Sequence, residues 1–491
     1  MPYLRLSAFL VLLLTPGGGL SAADFLPKWD AGYRGEIPDL PVVAEVDAAA
    51  IHAQGHAAID GVNRAGAVLL PSGVFELHGP IALRSGVVLR GASDRKTHLK
   101  FHSLAEDTFE KPVRPAFGAI RFEGTRHPTE YALRAGFERG STTLHLDDTS
   151  ALAGGQMALV FSENDPDLLY TEPRWDRPWA MQSLGQIVEI VAVDAHRVIL
   201  DVPLRLTYQS KFNPRFVIIE PIEQAGIEDL VVENLDADSC NIIGLENARN
   251  CWVRRCETIN TTRGHIWVNF SRHITIAENE VHRSFSYGGG GSGYGLVAGN
   301  IATDCLFTDN ILHHLRHAVM AKRGANGNVF SYNYSFDRRR DPEGSRLLCD
   351  VSLHGHYPYQ NLFEGNVVEF IELADFWGPT GPATTFLRNH VQTRISLRDH
   401  SDAAIFLGNR IVGGGFTTDG TSQDLILGGN TFPNGETLAS IIDVETIPDS
   451  AYRQRPPSNW GDLPWPVLSD PTADGILIPA QRRWQEIRDR K

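Results

Sequence analysis

From about residue 226 the chain repeats a short apolar run, a turn, a second run ending near asparagine, and another turn. The anchors are Asn234, Cys256 (in the asparagine position), Asn279, Asn310, Asn333, Asn366, Asn389, Asn409 and Asn430. Successive spacings are 22, 23, 31, 23, 33, 23, 20 and 21 residues, a period near 22 with two long insertions. A unit that short cannot bury its own apolar face, so the units must stack as a solenoid. Three residues before each anchor stand Val231, Val253, Ile276, Phe307, Phe330, Phe363, Phe386, Phe406 and Leu427, all apolar, with five consecutive Phe. The runs alternate with period two and lack a 3.6-residue period, so each coil is built of strands. The register predicts an interior Phe stack rising about 4.8 Å per coil and an asparagine column that satisfies backbone groups in the turns. The expected class is all-β, a parallel β-helix.

Residues 44 to 432 resemble the right-handed parallel β-helix proteins of the pectate-lyase-like (pectin lyase fold) superfamily. The run Val68-Leu69-Leu70-Pro71-Ser72-Gly73 and the later Leu83-Arg84-Ser85-Gly86-Val87-Val88-Leu89-Arg90-Gly91 look like the entry into that fold. Before them, Ala48 to Ala67 reads as an amphipathic capping helix. The resemblance organises the chain as a leader over 1–23, a cap and first coils over 24–136, an inserted β-subdomain over 137–210 and the main β-helix over 211–435. A Pro- and Trp-rich tail over 436–491 is expected to pack on the end of the solenoid, covering a sheet edge.

Arg5, the apolar run Leu6 to Leu14 and the small residues Ser21-Ala22-Ala23 read as an export signal, so a secreted or periplasmic protein is expected. That run is too short to span a bilayer, which takes roughly 20 helical residues, and no membrane span is expected after cleavage. With 42% hydrophobic and 21% charged residues the chain is not disordered. Its net charge, 45 − 59 = −14, argues against nucleic acid as a partner. The five cysteines, Cys240, Cys251, Cys256, Cys305 and Cys349, are too sparse for a disulfide scaffold and form no CxxC pair. They are expected to be buried as small hydrophobes.

The two long insertions, Phe285 to Gly293 and Asp337 to Arg346, occupy the same turn in alternate coils. The coil between them places His313, His314, Arg316 and His317 in that turn. Insertions confined to one edge of a solenoid usually build its binding face. On the strand that follows, Gly264, Ile266, Gly295, Val297, Ala318, Met320, Val351, Leu353, Ala374 and Phe376 read as inward. Arg263, His265, Trp267, Asn269, Tyr294, Leu296, Ala298, Asn300, His317, Val319, Ala321, Arg323, Asp350, Ser352, His354, His356, Leu373, Asp375, Trp377 and Pro379 then read as outward. Trp267 and Trp377, four rungs or roughly 19 Å apart, are expected to flank a polar centre as sugar-stacking platforms.

That constellation suits β-elimination on a uronate-containing polysaccharide, which needs the sugar carboxylate neutralised and a base for the adjacent proton. Arg316, Lys322, Arg323 and Arg338 to Arg340 are candidates for the carboxylate, His317 or His354 for the base, and Tyr294 or His356 for the acid. Asp350 and Asp375 would orient them or hold calcium, the one cofactor considered; no metal-ligand set is assigned. The expected catalytic group is His317, Arg323, Asp350, His354 and Asp375. Arg263, His265, Trp267, Tyr294, His313, His314, Arg316, Lys322, His356 and Trp377 are expected to bind substrate. The resemblance implies glycan binding along this face, and several members are lyases. Two alternatives stand: an inverting glycoside hydrolase using Asp350 and Asp375 at about 8 Å, within the roughly 6.5–9.5 Å such pairs need, and a non-catalytic glycan-binding protein.

Overall fold

The computed structural model describes residues 20–60, 64–93, 95–102, 118–237, 241–288, 290–343, 348–374, 376–432, 440–467 and 475–490. The apolar leader run, Cys240, parts of both long loops and Asp375 lie outside them.

Three parallel faces wind around one core. Among the described residues the first carries twelve strands, from Val42–Glu45 to Ile426–Gly428. The second runs from Gly73–Leu77 through Glu257–Thr261, Glu280–Ser284, Ile311–His313 and Tyr334–Phe336 to Arg410–Ile411. The third runs from Ile81–Ala82 through Gly264–Asn269, Tyr294–Ala298, His317–Ala321 and Val351–Leu353 to Gly415–Thr418. Each coil visits the three in turn, so their inward side chains share a single apolar interior.

The Phe column forms as the spacing predicts. Phe307, Phe330, Phe363, Phe386 and Phe406 pair in register on the first face. Their rings are 4.6, 4.7, 4.9 and 4.9 Å apart and within 12° of parallel, the separation set by one strand per rung. Below Phe307 the column continues through Ile276 and Val253 to Ile227, not to Val231. Val231 lies on the second face beside Glu257, and Asn234 pairs with Phe101. Ile227 and Val231 are both apolar, so spacing alone could not choose between them.

The asparagine ladder is continuous from Asn279 to Asn430. Each Nδ2 donates to the next Oδ1 at 2.9–3.0 Å. A second ladder, Cys305 N to Asn328 Oδ1 and Asn328 Nδ2 to Asn361 Oδ1, lines the entry to the first face. In the first ladder Asn366 donates to Phe330 O and Asn389 Oδ1 and accepts from the backbone and side-chain nitrogens of Asn333. Asn366→Ala strips these buried groups of that partner, at about 1–3 kcal/mol for an unsatisfied group. We expect a loss of about 2–3 kcal/mol in urea unfolding; a loss under about 0.5 kcal/mol would show that the ladder contributes little.

Over 48–67 two short helices, Ala48–Gln54 and Ala57–Asp60, replace the single expected helix, and Gly66–Leu69 is already a strand. Gly55, with φ 59°, ends the first, and the pair contributes Ile51 and Ile59 to the core. Six antiparallel strands between Thr125 and Glu220 form a separate sheet with its own core. It docks on the solenoid through Met157, Leu159, Phe161 and Ile187 against Phe270 and Ile301.

Of the described tail, Ser440 and Ile441 meet the last strand at Leu427 O, while most of the rest packs along the side of the solenoid and not on its end. Trp460, Leu463, Val467, Leu477 and Ile478 pack along its flank on Ile311, Tyr332 and Val367, and the helix Pro479–Arg490 lays Trp484 on His313 and Phe336. The outer side of these coils is itself apolar, and that strip is what the tail covers. On the first face the same need is met by Leu20, Ala22 and Trp29 together with Ile442 and Ile447. Cys251, Cys256, Cys305 and Cys349 are buried and in no disulfide among the described residues, and burial pushes the first three thiols up to about 12. Among the described residues no helix is long and apolar enough to cross a membrane.

Candidate functional site

On the third face, Ile266 and Val268, Leu296 and Ala298, Val319 and Ala321, and Val351 and Leu353 point into the core. The outward column is Gly244, Trp267, Val297, Met320, Ser352 and Glu372. Expectation and structure agree for the coils of Trp267 and Ser352. They disagree for the two between, where Leu296, Ala298, Val319 and Ala321 turn inward and Val297 and Met320 outward. The cause is a break in alternation at the start of each strand: Ala318 and Val319 are consecutive and both reach the core. One such residue moves every later side chain to the opposite face.

Trp267, Tyr294, Val297 and Met320 make a small cluster on the outer side. Trp267 is fully buried, its Nε1–H donating to Asn269 Oδ1 at 3.0 Å, so it is a floor and not a stacking platform. Cations cover it: Lys322 Nζ stands 4.6 Å and the Arg263 guanidinium 4.9 Å from its ring. Tyr294 lies beside it, with His317 at 5.4 Å, His354 at 6.2 Å and the Arg316 guanidinium at 5.4 Å. The Tyr294 hydroxyl accepts the Gly291 N–H at 2.9 Å, tying the glycine-rich loop to the floor. The two long loops meet, Asp341 Oδ2 accepting from Tyr287 N at 2.8 Å and Ser286 Oγ at 3.3 Å.

Several expected roles change. Both ring nitrogens of His317 are engaged: Nδ1–H donates to Cys349 O at 3.0 Å and Nε2 accepts from Arg316 Nε at 3.1 Å. It therefore positions Arg316 and is not placed as a base. Asp350 faces the corner between the second and third faces, where its carboxylate accepts from Ser335 Oγ at 2.5 Å, Glu369 N at 3.0 Å and Phe370 N at 2.8 Å. Burial pushes its carboxyl up to about 6; so enclosed, it neither faces the cleft nor offers oxygens to calcium there. His265, the second residue of its strand, is fully buried and bonded to Thr258 Oγ1 and Arg283 O, and burial pushes it down to about 3. His313 and His314 lie on the second face, because the turn after Ile311–His313 sends them away from Arg316 and His317.

Arg323 follows its strand in a left-handed turn, φ 54°. It is 8% exposed, its guanidinium 5.5 Å from the Trp179 ring. Burial and the neighbouring Arg263 push it down to about 9, so it stays cationic at neutral pH. The buried Nε atoms of Arg323 and Arg263 have no hydrogen-bond partner.

The aromatic end of the cleft was only half legible. Trp377 is half-buried and meets Trp179 edge-on at 5.1 Å. His356, pushed down to about 3 by burial, donates Nε2–H to Trp175 O and packs at 4.9 Å on Trp179. Trp179 (39% exposed) and Phe376 (38%) carry the open surface; Phe376 was expected inward, but its strand ends at Leu373. Trp179 comes from the segment Pro178–Ala180 of the inserted sheet, and the coil period held no signal for it. Glu372 was also missed: it is outward, with Arg398 Nη2 2.7 Å from its Oε1.

No protein-family model and no curated protein matches this chain in sequence. Among solved structures it is similar to the tailspike gp61 of Pseudomonas phage phi297, at 13% identity and TM-score 0.56, over 77% of this chain and 62% of that one. It is also similar to the tailspike gp49 of Pseudomonas phage LKA1, at 12% identity and TM-score 0.53, over 84% and 76%. The chain thus spans less than two thirds of the first of these proteins. At such identities the likeness is one of fold. Stacked parallel faces, a single Phe column and these similarities agree on the fold: the chain is a right-handed parallel β-helix, the fold of the pectate-lyase-like proteins.

Proposed function

We propose that this is an exported enzyme that binds an acidic polysaccharide in the third-face cleft and cleaves it by β-elimination. The observation that carries the reading is the pair Arg263 and Arg323, whose buried Nε atoms have no partner. In a chain of net charge −14, two such guanidiniums beside Lys322 are costly unless an anion completes them. A uronate carboxylate has the charge and the planar oxygens that a guanidinium fork accepts. The resemblance to pectate-lyase-like β-helices, which bind glycans along this face, supports the same class.

Elimination then divides among the residues at hand. Arg323, Arg263 and Lys322 hold and neutralise the carboxylate, acidifying the C–H beside it. His354 removes that proton, and the electron pair forms the C=C bond as the glycosidic C–O bond breaks. Tyr294 delivers a proton to the departing oxygen. No water is consumed. Arg316, oriented by His317, and Lys322 flank the Tyr294 ring at 5.4 and 5.8 Å. Trp179, Trp377 and Phe376 offer stacking surface for a neighbouring sugar. The hydrolase reading loses Asp350 to its enclosed corner, while Asp375 lies outside the described residues.

The test is incubation with a panel of acidic and neutral polysaccharides, following absorbance near 232 nm alongside reducing ends. Reducing ends with absorbance support elimination; reducing ends without it mean hydrolysis; neither with any acidic glycan overturns the enzyme reading. On a cleaved substrate, Arg323→Ala is expected to raise KM by about 10–100-fold, the size of a charge-assisted hydrogen bond, and to flatten its dependence on salt. An unchanged KM would remove Arg323 from the binding site.

A further inference from the structure

On the outer side of the second face, away from the cleft, Glu280, His282 and His313 bring ligand atoms within 4.8 Å of one another. Glu280 and His282 are i and i+2 on one strand and so share a face. His313 is the rung partner of His282. The two imidazoles stack with centroids 4.7 Å apart and planes 5° from parallel. Their Nε2 atoms reach toward the same carboxylates. His282 Nε2 lies 2.9 Å from Glu257 Oε1 and 4.0 Å from Glu280 Oε1, and His313 Nε2 lies 3.4 Å from Glu280 Oε1. Arg95 Nη1 holds the other oxygen of Glu280 at 2.9 Å.

Counting protons shows what is missing. His314 Nε2 is 2.9 Å from Asp337 Oδ2, so it carries a hydrogen. His314 Nδ1 is 2.7 Å from His313 Nδ1. With His314 neutral, its Nδ1 accepts and His313 Nδ1 donates. His313 Nε2 is then a lone pair aimed at a carboxylate oxygen, a repulsive contact unless a cation lies between. Charging His313 instead would let its Nε2 donate to Glu280, at the cost of a buried imidazolium stacked 4.7 Å from the His282 ring. A divalent cation needs what is already present: neutral imidazoles, ionised carboxylates, and an outer Asp–His relay that fixes the ligand tautomer.

We propose that Glu280, His282 and His313, with Glu257 as fourth ligand, bind one divalent cation of the zinc kind. Two imidazoles and two carboxylates are a ligand set that zinc accepts in tetrahedral geometry, with bonds of about 2.0–2.2 Å. The ligands come from three successive coils, and Trp484 of the terminal helix lies 4.7 Å from the His313 ring. The ion staples those coils beneath the tail and takes no part in the cleft, so the site is structural.

The test uses the full chain, stripped with EDTA and titrated with Zn²⁺ alone by calorimetry and with Co²⁺ by visible absorption. One equivalent of Zn²⁺, a rise in Tm, and the intense bands of tetrahedral Co²⁺ are expected. His313→Gln and Glu280→Gln should weaken binding by at least about 100-fold. His314→Gln should weaken it by about 10–100-fold at unchanged stoichiometry, as for an outer partner. Absence of stoichiometric binding by the wild type, or wild-type binding by both ligand variants, overturns the site. Should those variants fail to fold, the wild-type Co²⁺ spectrum decides, since weak octahedral bands or none would equally overturn it. None of these readouts depends on glycan cleavage.

Discussion

Phe363→Ala is expected to cost the folded chain about 3–5 kcal/mol. Phe363 sits between Phe330 at 4.7 Å and Phe386 at 4.9 Å, stacked nearly parallel to both and fully buried. Truncation removes its own transfer free energy and leaves a gap one rung high. The flanking rings cannot close that gap, because each is held at strand spacing by its own coil. Denaturant unfolding checks this as a fall in midpoint at unchanged slope. Phe363→Leu, which keeps most of the volume, should lose less than about 1.5 kcal/mol. A loss under about 1 kcal/mol for Ala would mean that the coils relax around the hole, and that the column is filling more than scaffold.

His354→Ala and Tyr294→Phe should each lower kcat by about 10²–10⁴-fold on a cleaved acidic glycan, with KM moved far less. Proton transfer is made only in the transition state, whereas the carboxylate contacts are already made when substrate binds. His317→Ala tests a different role. Its two nitrogens hold Cys349 O and Arg316 Nε, so its loss frees Arg316 without removing a base, and conservative replacement by Gln should restore part of the activity. If His354→Ala and Tyr294→Phe both keep full turnover, the acid–base role leaves this pair, and Asp375 is the residue to test next.

The register of the first face was readable because its alternation is unbroken for three residues in every coil, from Leu306–Thr308 to Ile426–Gly428. A period of about 22 residues locates a column wherever turns keep constant length, and the Phe and Asn positions obey it from Asn279 onward except across the two insertions, where the spacing is 31 and 33 residues. The third face was readable only in part. Its strands begin with an irregular residue, and positive-φ residues such as Arg323, His356 and Ala374 close its turns. Counting back from a distant anchor therefore carries a parity error across them. The loops at 285–293 and 337–346 were placed together from their common position in the coil, and their described parts do touch.

What the linear order determined by itself is the solenoid, its period, the identity of its interior column and the turn that bears the long loops. Those follow from covalent spacing, which stacking repeats reproduce in space. What only the tertiary structure decided is which partner each polar side chain meets. Cys349 O and Arg316 occupy both nitrogens of His317, Ser335 and the backbone of Glu369 and Phe370 enclose Asp350, and Trp484 arrives over His313 from the far end of the chain. The inserted sheet likewise brings Trp179 to Trp377. Such contacts join segments whose sequence separation is unrelated to the coil period. Their hydrogen bonds act over about 3 Å, a scale that repeat spacing does not encode.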